Sequence, residues 1–177
     1  LVGSEMCIRD RDDVPRAASY NICNFTIPGE RPLSLAMPAP PLFAQNPAAP
    51  AVRNFDGVVS TTVTVNRNLM DFYTNYPPCH WSVYAATALT APVCGQLYPP
   101  LRAAVAGKGE REAAELLLHY LHRAFPYKTD EAQFGIDRTL FAEEMYYYPY
   151  SDCEDRSILF ARLVKDLLGL DVVLLYY

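Results

Sequence analysis

Residues 144–177, EMYYYPYSDCEDRSILFARLVKDLLGLDVVLLYY, join an aromatic lead-in, a helical pattern and an apolar run. Pro149 disfavours helix for Tyr148, so a helix is expected to begin after it. Ser151 is a favourable N-cap, and Glu154 stands three residues later, as in a capping box. This stretch therefore predicts a helix start at Ser151.

The same stretch also predicts where the helix ends. It is expected to run to about Leu168 and to stop at Gly169 in a left-handed conformation. The run 171–177, DVVLLYY, is β-branched and aromatic and has the length of a strand. A helix followed by a strand in this order indicates an α+β arrangement.

Cys153 would be the second helical residue if Ser151 were the N-cap. Helical spacing predicts that it lies on an inward stripe with four others, Ser157, Phe160, Val164 and Leu167. Free N–H groups at a helix start favour a thiolate, so Cys153 is a candidate nucleophile. The flanking carboxylates of Asp152 and Glu154 work against that charge. The alternative is a buried structural cysteine, since a free thiol behaves as a small hydrophobe.

The run 150–156, YSDCEDR, with its apolar helix and the LGLDVVLLYY segment, resembles the nucleophile segment of the transglutaminase-like superfamily. The resemblance is to bacterial cell-envelope members and covers roughly residues 84–177. It implies an α+β fold with a partial transglutaminase-like (papain-like) core, in which the nucleophile helix packs on an incomplete antiparallel sheet. It also implies cysteine-dependent acyl transfer, or amide or peptide hydrolysis, through Cys153. The implied substrate is a peptide or protein, without cofactor or metal, in the periplasm or cell envelope.

The family's catalytic histidine and aspartate follow the nucleophile helix on later strands. Both are expected beyond Tyr177, which would make this chain a C-terminally truncated and inactive fragment. The resemblance implies that Tyr148 and Tyr150 line an acyl-substrate groove, although they could equally form a packing platform under the helix. Asp152 is expected to cap the helix, and Asp155 to fix the neighbouring loop. The alternative function is a non-catalytic binding or cell-envelope module on the same fold.

Composition limits the other functions. The 177 residues carry a net charge of −5, which does not support nucleic-acid binding. No apolar run reaches the ~20 residues that cross a bilayer. Five cysteines at irregular spacing are not a disulfide framework. Cys79 and Cys94 could pair or could remain two buried thiols, and the second interpretation is slightly favoured.

Three regions follow from the N-terminus. Residues 1–11 resemble translated adapter sequence and are treated as non-native. Residues 12–80 are expected to be β-rich, with a strand at 58–65 and a proline-rich connector at 33–50 that lies over the surface as a strap. Residues 81–177 would form the N-terminal half of the transglutaminase-like domain.

Two further helices are predicted inside that last region. One spans about 97–106, with Pro99 and Pro100 in its first turn, and the other spans 110–125 with an apolar stripe. His119 and His122 lie three apart on the second helix, where a metal pair is possible but a surface position is favoured. His80 is considered as a base for Cys153, although only its residue type supports that role.

Overall fold

The structure is a computed structural model, and it describes residues 37–175. The expected non-native segment 1–11 and a strand pattern near residue 20 lie outside the described residues. The fold is mixed α+β, as expected from the sequence. Its elements are β1 (Ala51–Phe55), β2 (Val59–Val63), α1 (Arg67–Thr74), α2 (Trp81–Ala86), α3 (Ala91–Val105), α4 (Glu110–Ala124), α5 (Asp130–Phe134), a 3₁₀ turn (Glu144–Tyr146) and α6 (Cys153–Leu168).

The strands β1 and β2 form an antiparallel hairpin with Phe55 opposite Val59 at its closed end. Asp56 and Gly57 take positive φ angles of 42° and 75° in the turn. The Asp-Gly pair suits a hairpin turn because both residues tolerate the left-handed region. Within the predicted strand 58–65, the structure forms β2 with alternate residues buried.

The helices surround this hairpin and build the core. The hairpin packs against α3 and α4, whereas α6 packs against α4 and α2. In residues 37–175 the cysteine-bearing helix therefore rests on helices rather than on a sheet. The fully buried side chains come from several elements: Leu69, Leu97, Leu101, Leu117, Tyr120, Leu121, Tyr146 and Ile158. Buried residues on both sides of residue 80 belong to one apolar cluster.

The helix α4 (Glu110–Ala124) confirms the predicted helix 110–125. Leu117, Tyr120 and Leu121 are fully buried. The Tyr120 hydroxyl bonds the Thr61 hydroxyl of β2 at 2.7 Å and the Tyr146 hydroxyl at 3.1 Å. A polar chain inside the core thus ties the helix to the hairpin and to the tyrosine-rich segment.

Residues 37–50 lie as a strap over the surface, as the proline-rich pattern predicts. The strap is held by backbone bonds from Ala48 N to Val65 O at 2.9 Å and from Ala88 N to Pro38 O at 3.1 Å. The Asn66 side chain accepts from the Asn46 N–H at 3.1 Å and also caps α1. The strap is therefore bound to the start of α1.

The helix α3 (Ala91–Val105) begins six residues before the predicted helix at 97–106, so that boundary was wrong. Pro99 and Pro100 lie inside it rather than in its first turn. Thr90 is the N-cap, and Pro92 takes the early position where a missing N–H costs nothing. Burial of Val93, Leu97 and Leu101 on one face carries the helix through the proline pair.

Pro99→Ala is expected to raise the free energy of unfolding by about 1 kcal/mol. Alanine returns an N–H donor to the helix and removes the ring clash with the preceding turn. The greater freedom of the unfolded chain offsets part of the gain. Urea unfolding followed by circular dichroism measures the change, with Pro92→Ala as the matched control. If both substitutions change stability alike, the internal proline does not strain α3.

The C-terminal tail does not form the predicted strand in residues 171–175. Leu170 and Val172 pack against the core, whereas Val173 and Leu175 are each 79% exposed. The burial alternates with the period of a strand, but no neighbouring strand pairs with this segment among residues 37–175. Among those residues, too, no helix has the length and hydropathy that crossing a bilayer requires.

Candidate thiol site at the start of helix α6

The start of α6 differs by one residue from the prediction. Asp152, not Ser151, is the N-cap, and its side chain accepts the N–H groups of Glu154 and Asp155 at 3.0 and 3.1 Å. Asp155 returns the bond by accepting the Asp152 N–H at 3.3 Å. The capping box is therefore Asp152–Asp155. Ser151 instead pairs with the segment after α4, where Lys128 N donates to its carbonyl at 3.2 Å.

This shift makes Cys153 the first helical residue and turns its side chain outward. The predicted inward stripe was wrong at its start, because Cys153 and Ser157 are exposed. The inward face consists of Asp155, Ile158, Leu159, Arg162 and Leu163. The Cys153 N–H donates to no acceptor within residues 37–175. The thiol thus meets solvent beside an available backbone donor.

Arg156 and Tyr127 lie next to this thiol. The Arg156 guanidinium stands 5.1 Å from the centroid of the Tyr127 ring and donates to the Phe125 carbonyl at 2.7 Å. It also donates to the Ser151 hydroxyl at 3.3 Å. These bonds replace the Arg156–Asp152 pair that helical spacing suggests. Burial raises the pKa of the Tyr127 phenol, and the nearby negative charge of Cys153 adds to that rise.

Asp155 fixes the loop before the helix, as the sequence suggests. Its side chain is fully buried and accepts the Leu140 N–H at 2.9 Å. Burial, followed by repulsion from Asp152, raises the pKa of Asp155 to about 8. The carboxyl is therefore largely protonated at neutral pH, and it anchors both the loop and the helix start.

Three carboxylates meet beside the helix start in a cluster that the sequence did not predict. One oxygen from each of Asp130, Asp137 and Glu154 lies within 4.8 Å of the others. Burial raises the pKa of Asp130 to about 6 and that of Glu154 to about 7. Oxygen donors of this kind suit a hard cation such as Ca²⁺ or Mg²⁺. No spacing motif indicates the cluster, because its members come from three separate segments.

The tyrosines before α6 divide between the two expected roles. Tyr146 is buried, and its ring packs edge-on against Phe125 at 5.4 Å between centroids. Tyr147 and Tyr150 are 40% and 39% exposed, so they lie on the surface. Tyr148 is half-buried and is held by an arginine rather than aimed at Cys153.

That arginine is Arg138, the centre of a buried polar network. Its guanidinium donates to the Tyr148 hydroxyl at 2.8 Å and forms an ion pair with Glu144. Glu144 has a fully buried side chain and also accepts the Phe141 N–H at 3.0 Å. Burial raises the pKa of Glu144 to about 7, and the charge of Arg138 offsets only part of that rise.

The histidines do not supply a base to this thiol. His80 caps α2, with its Nδ1 accepting the Ser82 N–H at 3.2 Å. His119 and His122 are exposed on α4, and the His119 ring lies edge-on to Phe55. Among residues 37–175, none of the three hydrogen-bonds to Cys153.

The three described cysteines are free thiols. Cys79 is buried and Cys94 is half-buried, so the slightly favoured unpaired state is the one found. Burial raises the pKa of Cys94. Cys153 is the exposed member of this set, and it alone stands at a helix start.

The site is therefore of one class, a solvent-facing thiol at a rigidly capped helix start. No protein-family model, curated protein or solved structure matches this chain. The functional inference accordingly depends on the geometry of the site and on the resemblance of its sequence.

Proposed function

We propose that Cys153 is the nucleophile of a transglutaminase-like enzyme that transfers acyl groups or hydrolyses amide or peptide bonds. The observation that carries this proposal is the exposed thiol at the first position of α6, beside its own free N–H. The Cys153 sulfur attacks the carbonyl carbon of a carboxamide or peptide. The oxygen then carries the negative charge, which the Cys153 N–H can accept.

The capping box limits how the oxyanion is held. Asp152 already accepts the N–H groups of Glu154 and Asp155, so these two donors are not available. Of the helix-start donors that the sequence suggests for this role, the Cys153 N–H remains. A second donor, from substrate binding or from another segment, would complete a hole of the usual two donors.

The carboxyl groups around the thiol are less hostile than their number suggests. The pKa of Glu154 is about 7 and that of Asp155 about 8, so a large fraction of both is uncharged near neutral pH. The guanidinium of Arg156 adds positive charge three residues after Cys153 on the same side of the helix. Both features reduce the net negative charge that faces a thiolate.

A base and an orienting carboxylate belong to the proposal by resemblance. They would be the family's histidine and aspartate, which remove the thiol proton and return it to the leaving amine. The exposed rings of Tyr127 and Tyr150 offer apolar faces to a peptide substrate on either side of the approach. A location in the periplasm or cell envelope belongs to the same proposal.

Alkylation by iodoacetamide tests whether the fold activates this thiol. At pH 7, Cys153 in the folded chain is expected to react about tenfold faster than the same cysteine in the peptide YSDCEDRS. Peptide mapping by mass spectrometry assigns the modified residue, and half-buried Cys94 serves as the internal control. Equal or slower reaction than the peptide would overturn the nucleophile proposal.

An activated ester separates an enzyme from a non-catalytic module on the same fold. With p-nitrophenyl acetate, the chain is expected to release about one equivalent of p-nitrophenol in a burst and to carry acetyl on Cys153. Cys153→Ser should lose both the burst and the adduct. A chain that gives no more than the Cys153→Ser rate supports the binding or envelope-module alternative.

A further inference from the structure

An open cavity lies between the strap and the start of α3, away from the cysteine-bearing helix α6. Its volume is about 290 Å³, and most of its wall is apolar. The strap supplies Pro40 and Phe43, and the region before α3 supplies Leu89. Leu69 of α1 closes another side. The volume is close to the lower limit for small-molecule sites, which suits a compact ligand.

One wall of this cavity carries a buried acid, Glu143. Its side chain is only 2% exposed, and its two oxygens accept the Thr90 N–H at 2.8 Å and the Thr90 hydroxyl at 2.9 Å. Because Thr90 is the N-cap of α3, the Glu143 carboxylate stands at the positive end of a 15-residue helix. These bonds and the helix dipole favour the charged form.

No cation neutralises this carboxylate within the described part of the chain. The ion pairs found there involve other acids, namely Glu112, Glu115, Glu144 and Asp166. Burial raises the pKa of Glu143, which reflects the unfavourable desolvation of its charge. A carboxylate has about four acceptor positions, so Thr90 leaves some of them unused. A buried charge of this kind gains free energy when a cation reaches it.

We propose that this cavity binds a small primary amine with a compact apolar body, whose ammonium group bonds to the Glu143 carboxylate. The apolar wall takes the body of the ligand, and the carboxylate fixes its orientation. An anion would be repelled by Glu143, and a neutral molecule of the same shape would forgo the charge-assisted bond. The site is independent of Cys153 and of the function proposed above.

Paired ligands test this site. Benzylamine and benzyl alcohol have nearly the same shape but differ in charge at pH 8. In titrations of the full chain followed by NMR, benzylamine is expected to bind at millimolar concentration, and benzyl alcohol at least tenfold more weakly. The shifted resonances should belong to residues of the cavity wall. Equal affinity for the two ligands, or shifts elsewhere only, would overturn the proposal.

Two variants complete the test. Ala88→Leu adds volume to the cavity wall and leaves Glu143 unchanged, so it is expected to abolish binding of both ligands. Ala103→Leu, an exposed position on α3 outside the cavity, is the matched control and should bind as the unmodified chain does. Glu143→Gln should bind both ligands equally if it folds. If it does not fold, Ala88→Leu decides, and unaltered benzylamine binding by that folded variant contradicts the proposal.

Discussion

Arg138→Ala is expected to lower the free energy of unfolding by about 4 kcal/mol at pH 8. The substitution leaves the Glu144 carboxylate buried without its cation and removes the donor to the Tyr148 hydroxyl. At pH 5 the loss should be less than half as large, because Glu144, with a pKa of about 7, is then protonated in the folded chain. Urea denaturation at the two pH values measures both numbers.

Two controls separate the buried charge from a general effect of removing an arginine. Arg111 forms an exposed pair with Glu115 on α4, so Arg111→Ala should change stability by no more than about 0.5 kcal/mol. The double substitution Arg138→Met with Glu144→Leu removes both charges and should recover much of the loss. Similar losses for Arg138→Ala and Arg111→Ala, or no recovery in the double variant, would contradict this explanation.

The folded chain is also expected to lose stability as the pH rises from about 5 to 8. The pKa values of Asp130, Glu144, Glu154 and Asp155 are about 6, 7, 7 and 8 in the folded state, above the usual 3.8 to 4.5. The folded state therefore binds more protons than the unfolded state in this interval, so stability falls with rising pH. Glu144 alone accounts for a loss on the order of 3 kcal/mol.

Unfolding curves in urea at half-unit pH steps measure this slope. Glu144→Gln cannot titrate, so it should flatten the part of the slope that centres near pH 7. A comparable substitution of an exposed acid, Glu110→Gln, should leave the slope unchanged. A chain whose stability rises between pH 5 and 8 would show that these carboxyls are ionised when folded.

Local patterns predicted several elements of the fold well. The α4 helix is correct to one residue because its apolar stripe and the proline after it are both strong signals. Gly169 ends α6 with a φ of 70°, as its position after the last apolar turn predicts. In both cases the decisive interactions lie within a few residues along the chain.

The errors arise where distant segments decide. Helix α3 continues through Pro99 and Pro100 because its buried face outweighs their local cost. The residue Ser151 loses the N-cap role because it pairs across to the segment after α4. That one-residue shift turns Cys153 from the predicted inward stripe to the surface, so periodicity alone gave the wrong side.

The candidate site shows the same division. The helix start near Cys153 and the loop-fixing role of Asp155 follow from residue types and spacing. Asp130 and Asp137 could not be placed beside Glu154 in this way, because the folding of an intervening loop brings the three together. The Glu143–Thr90 bond joins residues 53 apart in sequence and was equally invisible.

Asn66 joins two events that would otherwise be separate. Its side chain binds the strap at Asn46 and Ala44 and also satisfies the first turn of α1. When the strap lifts away, the same amide loses its partners, and the start of α1 loses its fixed geometry. Strap and helix should therefore open as one cooperative unit, so that access to the space beneath the strap and fraying of the helix share a single equilibrium.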